Sequence, residues 1–134
     1  MTAHFSLEQL TKTSTGLPNI PNEEQKKALE YLAVNLLEPL RIMLNAPITV
    51  NSAFRSLAVN NSIKGSKSSQ HCKGEAADLT CYDNKKLFNL IKDNFIFDQL
   101  INESNYSWIH VSLTKGKNRK QVLKMINGRY FNVV

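Results

Sequence analysis

Apolar positions along the chain mark out one long helical stretch, a shorter one and several brief alternating runs. Leu29, Leu32, Ala33, Leu36, Leu37, Leu40, Met43 and Leu44 follow the three-and-four spacing of a helix with one buried face. Asn22 stands where a cap belongs, and Gln25, three residues on, is the natural capping-box partner. Pro39 falls inside this stretch; its ring removes an amide donor and predicts a kink or restart. Ahead of it, residues 1–20 hold no sustained period. They predict an irregular arm anchored by Phe5, Leu7 and Leu10, with Pro18 and Pro21 bracketing a turn.

Beyond Leu44 the period shortens. Ile48 to Ser52, Ala76 to Thr80, Phe97 to Ile101 and Trp108 to Ser112 read as strands. Residues 57–63 predict a short helix stopped by Gly65, and Ser66 to Gln70 a polar loop. Asp83 or Asn84 caps a second helix reaching about Asn94. Val122 to Ile126 and Arg129 to Val133 flank Asn127-Gly128, the pair that favours a type I′ hairpin turn. Helices and adjacent strands without regular βαβ alternation predict an α+β fold, a mainly antiparallel sheet with helices packed against it.

Composition narrows the partners. The 134 residues suit one domain, residues 1–134, and 42% apolar content is enough for a core without disulfide staples. The net charge of +6 favours an anionic partner: nucleic acid, membrane surface or an acidic polymer such as a cell wall. No basic-aromatic stripe supports nucleic acid, and no apolar run approaches the ~20 residues of a membrane span. The opening Met1-Thr2-Ala3-His4-Phe5-Ser6 has no secretory signal character, so cytoplasmic synthesis is expected. Lys115, Lys117, Arg119 and Lys120 form the one basic run, read as a solvated loop or a contact to an anionic partner. Cys72 and Cys81 are expected to be small buried or half-buried side chains rather than a disulfide or metal ligands. His4 is expected on the surface.

The chemistry concentrates in two segments. His71 and Asp78 lie in Ser69-Gln70-His71-Cys72-Lys73-Gly74-Glu75-Ala76-Ala77-Asp78, and His110 in Trp108-Ile109-His110-Val111-Ser112. Two imidazoles and one carboxylate suit Zn²⁺ and leave a fourth position for water. Gly74 permits a tight turn between the first two. On the later strand His110 and Trp108 share one face, leaving Ile109 and Val111 for the core.

Ser-x-His-x-x-Gly-x-Ala-x-Asp followed by Trp-Ile-His-Val-Ser resembles the D-alanyl-D-alanine carboxypeptidase family of zinc peptidases, whose fold is shared with the Hedgehog signalling domain. The likeness is to short single-domain members, among them bacteriophage lysis enzymes. It extends to Phe5-Ser6-Leu7 with Thr11, to Ser52-Ala53-Phe54-Arg55-Ser56 with Asn60 and Gly65, and to Phe97-Asp98-Gln99-Leu100-Ile101 with Glu103. The resemblance implies one Zn²⁺ held by His71, Asp78 and His110, with Glu103 as general base. It implies Arg55 as substrate or oxyanion clamp, Ser69 and Gln70 beside the substrate, and Trp108 as a cleft wall. The commoner family pattern has its acid three residues before the last histidine, here Ser107; Glu103 instead resembles a subset with a longer loop. Asp98 is expected either to orient a ligand histidine or to be an exposed strand carboxylate.

The implied partner is a peptidoglycan stem peptide, cut as a D-Ala-D-Ala carboxypeptidase or an L-Ala-D-Glu endopeptidase cuts it. A monomer acting at the bacterial wall is expected, reaching it after holin-dependent release if the enzyme belongs to a phage. A zinc-containing binding module without turnover is the alternative.

Overall fold

The computed structural model describes residues 1–133, so the last residue of the expected 1–134 domain lies outside the described residues. The elements are α1 (Leu7–Leu10), α2 (Glu23–Leu32), a π turn (Ala33–Leu37), α3 (Glu38–Leu44), β1 (Thr49–Ser52), α4 (Leu57–Ser62), a 3₁₀ turn (Gln70–Lys73), β2 (Ala76–Thr80), α5 (Asn84–Asn94), β3 (Gln99–Glu103), β4 (Trp108–Ser112), β5 (Gln121–Ile126) and β6 (Arg129–Asn132).

Six strands form one sheet in the order β1-β2-β4-β3-β5-β6. Every pair is antiparallel except β3 with β5, which run parallel. The architecture is the α+β one expected. Ala77, Leu79, Leu100, Ile109 and Val111 project from one sheet face into a core shared with Leu29, Leu32, Leu36, Leu40, Leu87 and Ile91 of the helices. Strand geometry sends the intervening residues to the opposite face. That second face becomes the site.

The long apolar stretch is not one regular helix. Asn22 and Gln25 form the reciprocal capping box, but the ladder widens to π geometry over Ala33–Leu37 before α3 begins with Pro39 in its first turn. Proline has no amide to continue the α ladder, and the π turn absorbs the break. It also rotates the face: Leu40 and Leu44 are buried, while Met43, expected in the stripe, is 47% exposed.

Three further boundaries differ from expectation. The arm contains α1, where Ser6 and Gln9 form a capping box. The third strand starts at Gln99 rather than Phe97 and runs on to Glu103. Asn127 and Gly128 take φ of 51° and 76°, as a type I′ turn requires, and strand pairing in that hairpin ends at Asn132.

Gly74 fixes the α2 end to the site. Its φ is +75°, and a Cβ there would lie 2.6 Å from the Gln25 carbonyl oxygen. The Gln25 side chain donates to the Cys72 carbonyl at 3.1 Å. Gly74→Ala therefore meets both a left-handed backbone and a backbone clash, and lowers stability by about 2 kcal/mol or more. The measurement is urea unfolding, with a lower midpoint at unchanged slope.

Candidate metal centre

Each of the three expected ligands sits on a different piece of scaffold. His71 lies in the 3₁₀ turn, whose first residue is capped by Ser69: its Oγ accepts from the His71 amide at 3.2 Å. The His71 carbonyl accepts from the amides of Arg55 (3.1 Å) and Gly74 (3.3 Å), which ties the turn to the segment after β1. Asp78 is central in β2, and His110 is its antiparallel partner on β4. Between Val50 and Ser52 the β1–β2 register shifts, which sets Ser52 opposite Asp78. A bulge of this kind re-aims side chains beside a site.

The side chains converge. His71 Nε2 lies 3.3 Å and His110 Nδ1 3.1 Å from Asp78 Oδ1, and the three donor atoms all fall within 4.8 Å of one another. Ligands about 2.0–2.1 Å from a tetrahedral zinc stand about 3.3 Å apart, so the set fits one such ion. The tautomer of His71 is fixed from behind. Its Nδ1 is 2.7 Å from the Ala53 carbonyl, which can only accept; Nδ1 therefore carries the hydrogen and Nε2 offers its lone pair. Burial pushes the Asp78 carboxyl upward, but the His110 and His71 rings beside it outweigh that and hold the group well below the usual carboxylate range. It stays ionised.

Glu103 joins this face by register. It pairs with Trp108 across β3–β4, two residues along from the Ile101–His110 pair and so on the same face. The intervening turn is sharp: Ser104, Asn105 and Tyr106 all have positive φ, from 49° to 64°. Asn102 accepts from the Tyr106 amide at 2.5 Å, and Asn84 donates to the Tyr106 carbonyl at 2.9 Å. Ser107, at the commoner acid position, donates its hydroxyl to the Ser104 carbonyl within that turn. Burial lifts the Glu103 carboxyl above its ordinary value; His110 opposes the rise and Asp78 adds to it.

Arg55 is less free than the sequence suggests. Its Nη2 donates to Asp78 Oδ2 at 3.0 Å and its Nε to Ser52 Oγ at 3.0 Å. It is thus the charge partner of the proposed carboxylate ligand as well as a wall of the groove.

Arg55, Ser69, Gln70, His71, Asp78, Glu103, Trp108 and His110 all line one groove of about 930 Å³. All eight site residues named from the sequence are therefore brought together. The sequence reading missed the other wall. Gln121, Leu123, Met125 and Tyr130 of the C-terminal hairpin line it as well, and the alternation of Gln121, Leu123 and Met125 was the available signal. The free cysteines are both half-buried as expected and line no part of this groove. His4 pairs with Glu38 at 2.6 Å on the surface.

Asp98 corrects both expectations for it. It is neither exposed nor bonded to a ligand histidine: it is 5% exposed and accepts from Gln70 Nε2 at 2.6 Å. It also accepts from the Arg119 amide and Nε, each at 3.0 Å, and from Arg119 Nη2 at 2.7 Å. All four cations of the basic run are exposed, as a solvated loop would have them, and Arg119 is in addition tied to Asp98.

Comparison with known proteins decides the family. A profile of the peptidase M15 family matches residues 3–112. The chain belongs to that family. M15 comprises zinc-dependent peptidases of the D-Ala-D-Ala carboxypeptidase type, and this chain's triad is able to hold a metal ion. No curated protein matches the chain significantly. No helix among the described residues is long and apolar enough to cross a membrane.

The Arg119 hydrogen bonds, first among causes, hold the Asp98 carboxyl at about 2 against an ordinary 3.8. A depressed carboxylate stabilises the fold above its unfolded pKa, and the contribution disappears as pH falls through the folded value. Asp98→Asn is therefore expected to cost stability at neutral pH, with the difference from the native chain closing between about pH 4 and pH 2. Urea unfolding across that range measures it.

Proposed function

We propose that this M15 chain is a zinc peptidase hydrolysing peptidoglycan stem peptides, with His71, Asp78 and His110 as the ligands and Glu103 as general base. The observation that carries this reading is the 3.1 and 3.3 Å spacing of the two imidazole nitrogens about Asp78 Oδ1, with a buried carboxyl two residues along on the same sheet face. A bound Zn²⁺ supplies Lewis acidity, lowering the pKa of water and polarising a carbonyl.

The chain's own residues do the rest. Glu103 takes a proton from the attacking water at its carboxylate and returns it to the departing amine; its raised pKa suits a group that must do both. Arg55 pairs with Asp78 and offers positive charge beside the developing oxyanion. Trp108, Ile101 and Gln70 line the groove, the Gln70 amide donating to Asp98. The strained Ser104–Tyr106 turn keeps Glu103 in place before substrate arrives.

The net charge of +6 suits an anionic wall polymer. Two bond choices are carried: D-Ala-D-Ala as a carboxypeptidase, or L-Ala-D-Glu as an endopeptidase, the latter fitting a phage lysis enzyme. Free D-alanine as product identifies the first, and a new amino terminus within the stem the second, read by mass spectrometry after incubation with purified peptidoglycan. Absence of both products overturns the peptidase reading.

Glu103→Gln is expected to lower kcat by about 10²–10⁴-fold while zinc content, measured by elemental analysis, is unchanged. In the native enzyme the acid limb of the pH–rate profile should lie above 4.5, the ordinary glutamate value, because the base must be ionised to act. His71→Ala is expected to abolish zinc retention. In the native protein, zinc added after chelation should raise the melting temperature, since a ligand bound only by the folded state stabilises it; an unchanged melt sinks the metal assignment.

A further inference from the structure

The groove continues past the candidate metal centre. A second cavity, lined by Ser68, Gln70, Lys73, Glu75, Asp98, Gln99, Thr114, Lys117 and Arg119, shares Ser68, Gln70, Gln99 and Arg119 with the first. Arg119 stands at the junction. It lies outside residues 3–112 matched by the family profile, and the mechanism above does not use it.

Two properties set Arg119 apart from the surface cations around it. Its side chain is 56% exposed, yet its Nε and Nη2, together with its backbone amide, are held by a carboxylate that is itself 7% exposed. A long flexible side chain ordinarily loses rotamer freedom on engaging a ligand; here the ordering is already present in the fold. Asp98 takes the Nε–Nη2 edge; the guanidinium keeps its charge and its Nη1–Nη2 edge, a second planar fork that matches a carboxylate. Asp98 is saturated by its four hydrogen bonds from Gln70 and Arg119. Lys73 and Lys117 in the same recess leave positive charge in excess over Glu75.

We propose that Arg119, held by Asp98 and flanked by Lys117 and Lys73, is a subsite for a substrate carboxylate remote from the scissile bond. Register gives the distance. The Ile101–His110 pair lies in one cross-strand row with Leu123, and the Gln99–Gln121 row is two residues along, about 7 Å away, with Arg119 just beyond. That is at least two residues of an extended peptide. A stem peptide whose D-glutamyl α-carboxyl is free meets the requirement, whereas its carboxamide counterpart does not. The inference rests on the peptidase reading in its D-Ala-D-Ala form, because an L-Ala-D-Glu cut would put that carboxyl beside the scissile bond.

The test uses the metal-replete full chain carrying Glu103→Gln, so that bound peptide is not consumed. Trp108, the only tryptophan and a groove residue, reports binding by its fluorescence. Two probes are titrated: L-Ala-γ-D-Glu-L-Lys-D-Ala-D-Ala with the D-glutamyl α-carboxyl free, and the same peptide amidated there. The free acid is expected to bind about tenfold more tightly. Adding Arg119→Ala should erase that ratio. Arg119→Lys, which keeps charge without the fork, should reduce it, and Lys12→Ala, far along the chain in the arm, should leave it intact. Equal affinity for the two probes, or a full preference surviving in either Arg119 variant, overturns the proposal; if Arg119→Ala does not fold, the lysine variant decides. Loss of peptidoglycan hydrolysis by the native enzyme with this binding preference retained would sink the peptidase reading alone.

Discussion

Everything at the site is organised around one buried carboxylate. Asp78 lies 12% exposed between two imidazoles and a guanidinium, with His110 and His71 against one oxygen and Arg55 against the other. A carboxylate in such a place is costly unless each oxygen is engaged. The groups that engage it arrive from the segment after β1, the 3₁₀ turn and β4, so its desolvation constrains three parts of the chain at once. The core packs one face of β2; this ionic cluster organises the other.

That division explains what the sequence could show. The candidate ligands were legible because their chemistry is local: Gly74 marks the turn, the small Ala76 and Ala77 clear space, and strand alternation assigns His110 to the face opposite Ile109 and Val111. The α+β class and most elements followed from periodicity alone. What the sequence hid depends on pairing. Nothing local announces that β5 lies parallel to β3, and without that pairing Leu123, Met125 and Tyr130 read as an appended hairpin. Asp98 was hidden for the same reason. Its place in an expected strand left it either orienting a histidine or exposed, but its partner Arg119 is 21 residues away and arrives only when the loop after β4 folds back.

The helix layer shows a comparable limit. Periodicity identified the stretch from Leu29 to Leu44 and Pro39 as its interruption, but not the form of the interruption. A π turn conserves the helical course while changing which residues face inward, which is why Leu40 and Leu44 meet the core and Met43 does not. A proline in a helix signals that the ladder must give; surrounding packing decides whether it kinks, restarts or widens.

The left-handed turn at Ser104–Tyr106 bears on how acid and histidine drift apart in sequence. Glu103 reaches the site through its pairing with Trp108, so the count of residues separating it from His110 carries no geometric meaning of its own. Insertions or deletions confined to the turn leave both side chains where they are, provided the two flanking positions still meet. An alteration of odd length inside either strand reverses the outlook of everything beyond it. Homologues of differing hairpin length can therefore share one active-site geometry, and a search keyed to fixed linear intervals will overlook them.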